Sequence, residues 1–338
     1  MKIIVPMAGM GKRMRPHTLT IPKPLIPIAG KPIVHRLVED IAKVVNEPVE
    51  EVGFVINRSF GEEVENSLKE VASTIGAAGK IYYQDEPLGT AHALYCAKDM
   101  LEGNVIVAYA DTLFKAEFTL DKEQDGIIWV HKVKDPAAFG VVKLDEDQVI
   151  TGFVEKPATY VSDLAIIGIY YFKDGDFLKR ELQYLIDNNI MNSGEYQITN
   201  ALDNMKGKGV KFVPGQVDEW LDCGNKDATV YTNQRYLEYI KDSLAHPDTA
   251  GMENSAIIPP VYIGKNVKIT NSVIGPYVSI GDGTRIKNSR IRNSILQTNT
   301  MVDNANLENS MLGNHVTLKL SSSDLSIGDY NSVVENMH

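Results

Sequence analysis

Between residues 263 and 312 an aliphatic side chain returns every five or six positions: Ile263, Ile269, Ile274, Ile280, Ile286, Ile291, Leu296, Val302, Leu307 and Leu312. A period held this constantly indicates a parallel β-helix, in which each aliphatic residue points into a stacked core. Small or polar residues fill the gaps, among them Gly264, Gly275, Gly281, Gly283, Asn288 and Asn293, and these suit tight corners. An irregular β-sandwich is the competing reading. At about 18 residues per three-sided coil, the roughly eighty residues after Asn254 allow four or five coils.

The first two-thirds of the chain has another texture. Strand-like runs at Lys2–Ala8, Val52–Asn57, Lys80–Gln84 and Val105–Ala110 alternate with helix-like stretches at Ile33–Val45, Gly61–Ile75 and Ala91–Leu101. That order is the signature of βαβ units around a mostly parallel sheet. Ile127–Val133, a two-stranded pattern around Phe139–Lys156, and Leu164–Phe172 extend the sheet, and a helix over Tyr231–Ser243 closes it. Two domains are expected, 1–245 and 255–338, joined by a polar linker over 246–254. A chain of 338 residues exceeds what one hydrophobic core usually serves.

Composition excludes several classes of function. No run approaches the roughly 18 apolar residues of a membrane span, and the opening lacks the layout of a secretory signal. Cys96 and Cys223 give neither a disulfide framework nor metal-ligand spacing, so a cytoplasmic location is expected. A net charge of −10 argues against nucleic acid as the main partner. The charge is unevenly spread: Met1 to Val38 contains no Asp or Glu, yet holds Lys2, Lys12, Arg13, Arg15, Lys23, Lys31 and Arg36. Such a segment in an acidic chain marks a local site for an anionic ligand.

Its core is a glycine loop after the first strand, Gly9-Met10-Gly11-Lys12-Arg13. A dinucleotide-binding turn needs a third glycine where Met14 stands, and a Walker loop needs four residues between its glycines. Neither pattern is met. The loop continues instead into Pro22-Lys23-Pro24-Leu25 and Gly30-Lys31-Pro32-Ile33. The whole, GxGxRxxPxTxxxPKxLxPxxxKPxx, resembles the signature of sugar-1-phosphate nucleotidyltransferases. The resemblance implies an α/β fold, a Rossmann-like mixed, mainly parallel sheet flanked by helices, here followed by a short left-handed parallel β-helix. It implies that Arg13 and Lys23 hold the triphosphate and departing pyrophosphate, with Ala8, Gly9 and Gly11 near the nucleotide. Lys12, where the family usually has Thr, either adds a cation beside the phosphates or faces solvent.

Further motifs follow in the family's order over roughly residues 1–230. Gln84 to Ala91 resembles its base-reading segment. A Gln amide offers a donor and an acceptor to a pyrimidine edge, with Gly89 and Thr90 alongside, and Gln84 tilts the choice to uracil or thymine over guanine. Asp111 and Asp222 match the family's two metal carboxylates, implying Mg²⁺, although on position alone Asp111 could equally cap a following helix. Ala110 stands where a Gly is usual. Gly140 and Glu155 match residues that contact sugar hydroxyls, Lys156 the residue that holds the sugar phosphate, and Ile166 the aliphatic of the glucose-type branches. Gly194-Glu195 followed by Thr199 resembles the same branches.

The activity implied is joining of a nucleoside triphosphate, dTTP or UTP, to a glucose-type sugar 1-phosphate. His17 and His92 are read as structural or solvent-facing. Competing readings are a mannose-1-phosphate guanylyltransferase, a catalytically silent regulatory subunit, and a bifunctional enzyme with acyltransferase activity in the β-helix. Four or five coils are short for an acyl-donor site and suit homo-oligomerisation better.

Overall fold

The computed structural model describes residues 1–45, 47–116, 120–244 and 251–320. The chain divides into two compact units, with the boundary between Tyr236 and Leu237. In the first unit β1 (Lys2–Pro6), α1 (Ile33–Val45), β2 (Glu51–Ile56), α2 (Glu62–Thr74), β3 (Ala78–Tyr83), α3 (Thr90–Cys96) and β4 (Val105–Ala108) alternate as expected. Next come β5 (Thr112–Lys115), β6 (Gly126–Lys132), β7 (Gly140–Leu144), β8 (Ile150–Glu155) and β9 (Leu164–Phe172). The unit then runs through α4 (Gly175–Asp187), α5 (Ile198–Gly207), β10 (Phe212–Gln216) and β11 (Glu219–Asp222) into α6 (Lys226–Ile240).

The sheet order is β8-β7-β9-β4-β1-β2-β3, with β6 beside β9 and β10 beside β6. β1 pairs in parallel with β2 and β4, and β2 with β3, whereas β9 runs antiparallel to β4, β6 and β7. Central strands of such a sheet are covered on both faces, which requires continuous apolar runs. Ile3, Ile4, Val5, Phe54, Val55 and Val107 are accordingly fully buried. α1 buries Ile33, Val34, Leu37, Val38, Ile41 and Val45, a stripe at helical spacing against the sheet side. The carboxyl ends of β1, β3 and β4 lead into the glycine loop, Gln84 and Asp111, the edge where open α/β sheets bind ligands.

Two local expectations are corrected. The strand expected to reach Ala110 ends at Ala108, and Asp111 lies in a turn between β4 and β5. No helix follows it, so helix capping is not its role. The last helix starts at Lys226, ahead of the expected Tyr231, because Val230 is the one apolar residue among those its first turns bury. Thr229, Thr232 and Asn233 are fully buried. Thr229 Oγ1 donates to Asn225 O at 2.7 Å and Thr232 Oγ1 to Asp222 O at 2.7 Å, while Asn233 Oδ1 accepts from Ala29 N at 2.9 Å. Apolar periodicity has nothing to register on such a face.

The second unit stacks three parallel sheets of short strands, one beginning at Met252–Glu253, one at Ala256–Ile257 and one at Val261–Ile263. Ile269, Ile274, Ile280, Ile286, Ile291, Leu296 and Val302 fill its interior. Burying each aliphatic side chain contributes about 1.5–3 kcal/mol. Corners repeat as well as cores. Asn254, Asn271, Asn288 and Asn304 all have positive φ, and Asn254 Nδ2 donates to Asn271 Oδ1 at 2.9 Å, Asn271 Nδ2 to Asn288 Oδ1 at 3.2 Å. The coil is tighter than expected, 17 residues between stacked partners early in the unit and 16 later. Of the expected linker 246–254, residues 246–250 lie outside the described residues, and Met252–Glu253 already pairs with the next coil. Residues 321–338 also lie outside them. Among the described residues no helix is long and apolar enough to cross a membrane.

Candidate active site

The glycine loop leaves β1 and is latched at its base. Thr18 Oγ1 donates to Gly11 O at 2.8 Å. Gly11 has φ 56, and a Cβ there would lie 3.0 Å from Lys23 Cβ, so backbone conformation and crowding both call for glycine. Gly9 differs: a Cβ there would meet nothing within 4 Å, so its bare backbone fronts open space. That space is a cleft of about 500 Å³ lined by Ala8, Gly9, Gly11, Lys12, Arg13, Lys23, Gln84, Gly89, Thr90, Tyr109, Asp111 and Glu195, among others. It gathers every residue expected on the nucleotide side. Lys12 is exposed and lines the cleft, so it adds a cation there.

Lys23 is only 7% exposed, and its Nζ lies 3.1 Å from Asp111 Oδ2. Asp222 reaches the same place from β11, which pairs antiparallel with β5 so that Asp222 faces Thr112, and Cys223 N donates to Asp111 O at 2.9 Å. Burial, and then the like charge of Asp111, push the Asp222 carboxyl above its ordinary value, against the opposing pull of Lys23, the Gly224 N–H and Arg13. Two carboxylates that repel one another beside a single buried ammonium form a donor set that a divalent cation would satisfy. Among the described residues no three His, Cys, Asp or Glu side chains cluster as a metal cage. Two carboxylates nevertheless suit Mg²⁺, which takes one or two from the protein and the rest from phosphates and water.

Gln84 is 7% exposed at the end of β3. Its Nε2 donates to Gly89 O at 3.0 Å and lies 3.1 Å from His92 Nδ1. Of the two readings of His92, structural or solvent-facing, this contact supports the first. Gly89 has φ 105, and a Cβ there would stand 2.5 Å from Tyr196 O. Around it Tyr196 N donates to Leu88 O at 2.8 Å, Ile198 N donates to Thr90 Oγ1 at 3.0 Å, and Thr90 Oγ1 donates to Gln197 Oε1 at 3.1 Å. These bonds tie the start of α3 to the start of α5.

A second cluster holds the residues expected on the sugar side. A Cβ on Gly140 would lie 3.0 Å from Glu155 Oε2, 3.4 Å from Ile166 Cδ1 and 3.7 Å from Thr199 Cγ2. Thr199 is 4% exposed, and its hydroxyl has no hydrogen-bond partner among the described residues. Lys156 follows β8 with φ 43, a strained setting for a non-glycine residue, held by its N–H donating to Phe139 O at 3.0 Å. Its Nζ lies 3.5 Å from Glu155 Oε1. Tyr109, half-buried, and Tyr170, buried, are both pushed well above the ordinary tyrosine value, first by burial and further by the charges of Glu155 and Asp111.

Tyr109 and Gln197 escape a reading by motif, because their partner Thr90 is distant in sequence, and motif alone assigns no role to Thr18 or Thr199. Thr18 sits at the T of the PxTxxxPK motif, the one signal that could have found it.

A family model described as nucleotidyl transferase matches residues 2–239. The chain is 29% identical over 352 residues to a glucose-1-phosphate thymidylyltransferase of Streptomyces antibioticus, covering 95% of this chain and 94% of that one. It is 29% identical over 294 residues to the mannose-1-phosphate guanylyltransferase catalytic subunit beta of Drosophila pseudoobscura pseudoobscura, covering 84% and 72%. A solved UDP-glucose pyrophosphorylase complexed with UDP-glucose shares the fold with a TM-score of 0.57 at 24% identity, covering 70% of this chain and 98% of that one.

Proposed function

The chain belongs to the nucleotidyl transferase family, and from that footing we propose that it joins dTTP or UTP to a glucose-type sugar 1-phosphate, releasing pyrophosphate. The observation that carries the proposal is the meeting in one cleft of the Gly9–Gly11 loop, Arg13, Lys23, Asp111 and Gln84. The full-length similarity to a glucose-1-phosphate thymidylyltransferase supports the choice of sugar and base.

The attacking oxygen of a sugar phosphate is already anionic at neutral pH, so the protein need supply no base. A bond forms from that oxygen to the α-phosphorus as the bond from α-phosphorus to the bridging oxygen breaks, and the electron pair leaves on pyrophosphate. The work left to the chain is positioning and charge neutralisation. Arg13 forks onto phosphate oxygens, and Lys23 supplies a point charge beside them. Lys156 orients the attacking phosphate, while Gly140, Glu155 and Ile166 seat the sugar and Gln84, Gly89 and Thr90 the base. Asp111 and Asp222 would hold Mg²⁺, which when bound supplies further neutralisation of the phosphates.

The test is pyrophosphate release from dTTP, UTP and GTP with a panel of sugar 1-phosphates. Fastest turnover is expected for dTTP or UTP with glucose 1-phosphate. GTP with mannose 1-phosphate as the best pair would overturn the substrate, and no release from any pair would overturn the activity. Asp111→Asn and Asp222→Asn should each slow turnover by about 10²–10³, the usual loss for one transition-state contact.

A further inference from the structure

Gln84 offers a cleft ligand less than its chemistry suggests. A primary amide carries two N–H donors and one carbonyl acceptor. The Gly89 carbonyl can only accept, so the atom 3.0 Å from it is the amide nitrogen, and that fixes which way the side chain faces. The same nitrogen lies 3.1 Å from His92 Nδ1. With the amide so oriented, this second contact is a hydrogen bond only if Nδ1 carries a lone pair and the ring proton sits on Nε2. Both donors are then consumed inside the protein. Oε1 takes no hydrogen bond from a described residue, and Gln84 is among the residues that line the cleft whereas His92 is not.

We infer that His92 is a positioning residue that turns Gln84 into an acceptor-only reader of the nucleotide base, admitting bases with a ring N–H and rejecting cytosine and adenine. The inference rests on the base-reading role proposed above for Gln84. Uracil and thymine present N3–H to such an acceptor, and guanine N1–H. Cytosine N3 and adenine N1 present a lone pair, which would oppose that of Oε1 in a site where Gln84 cannot rotate without giving up two hydrogen bonds. A site built to bond one hydrogen rejects ligands that lack it far more strongly than a merely apolar pocket does. Burial holds His92 below the ordinary histidine value, with Glu86 the charge opposing that shift, which favours the uncharged ring this arrangement needs. Gly89, forced to glycine by the Tyr196 backbone against it, keeps the first acceptor in place independently of His92.

Calorimetric binding of UTP, dTTP and CTP in the presence of Mg²⁺, on the full chain, tests this. The wild type should favour UTP and dTTP over CTP by roughly a hundredfold or more. His92→Phe removes one of the two bonds that hold the amide and releases its second N–H to a ligand, so UTP binding should weaken roughly five- to tenfold and the preference over CTP should shrink by a similar factor. His92→Asn, whose amide oxygen accepts in place of Nδ1, should restore the preference, which a purely structural role for the ring would not predict. Gln84→Ala separates the two claims: an unchanged preference in that variant removes the base-reading role itself. A collapsed preference in Gln84→Ala together with a wild-type preference in His92→Phe overturns the role of His92 alone. Long-range ¹H–¹⁵N correlation on the wild-type protein gives a readout free of any folding defect. The proton is expected on Nε2 of His92, and a proton on Nδ1 overturns the inference.

Discussion

Thr199 carries a hydroxyl that is buried beside Gly140 and finds no hydrogen-bond partner among the described residues. Leaving such a group unsatisfied costs the fold about 1–3 kcal/mol, a cost that a ligand hydroxyl or phosphate oxygen would remove. Thr199→Val keeps the shape and deletes the hydroxyl. The melting temperature should hold or rise, while KM for the sugar phosphate rises several-fold and KM for the nucleotide stays put. A fall in stability with unchanged kinetics would make the residue structural. Much of the candidate site can be read residue by residue before any fold is known. Arg13, Lys23, Gln84 and Asp111 sit in motifs whose order survives, and they meet in the cleft because each follows a strand of one parallel array. Thr199 and His92 are different, since a hydroxyl's lack of a partner and an amide's orientation are properties of packed geometry that no residue pattern spells out.

Among the elements, those with regular apolar periods are legible and those with polar faces are not. α1 is bounded as its stripe predicts, whereas α6 hides its first turns behind Thr229, Thr232 and Asn233. In the β-helix the period is plain, yet coil length departs from 18 because corners turn on single asparagines with positive φ. Asn271 both accepts from Asn254 and donates to Asn288, with φ 49. Asn271→Ala therefore removes two rungs and puts an alanine in a left-handed conformation, and should destabilise the unit by about 1–3 kcal/mol. Asn271→Gly relieves the backbone portion only. Thermal unfolding of the pair separates the terms, and equal melting temperatures would deny the backbone any share.

At the scale of the whole molecule the two units differ in how far apart in sequence their contacts lie, and both tryptophans, Trp129 and Trp220, belong to the first. Denaturant unfolding followed by tryptophan fluorescence should therefore diverge from the transition seen by far-ultraviolet circular dichroism, which reports both units. Coincident curves would mean that the units melt as one. The stacked coils bond across 16 or 17 residues, whereas the first unit ties Ala29 to Asn233 and sets Asp111 beside Cys223. On the ribosome this difference becomes a schedule. The glycine loop is translated well ahead of its second carboxylate, which arrives only with Asp222. Over that whole interval a nascent chain holds the loop without the pair of carboxylates beside it.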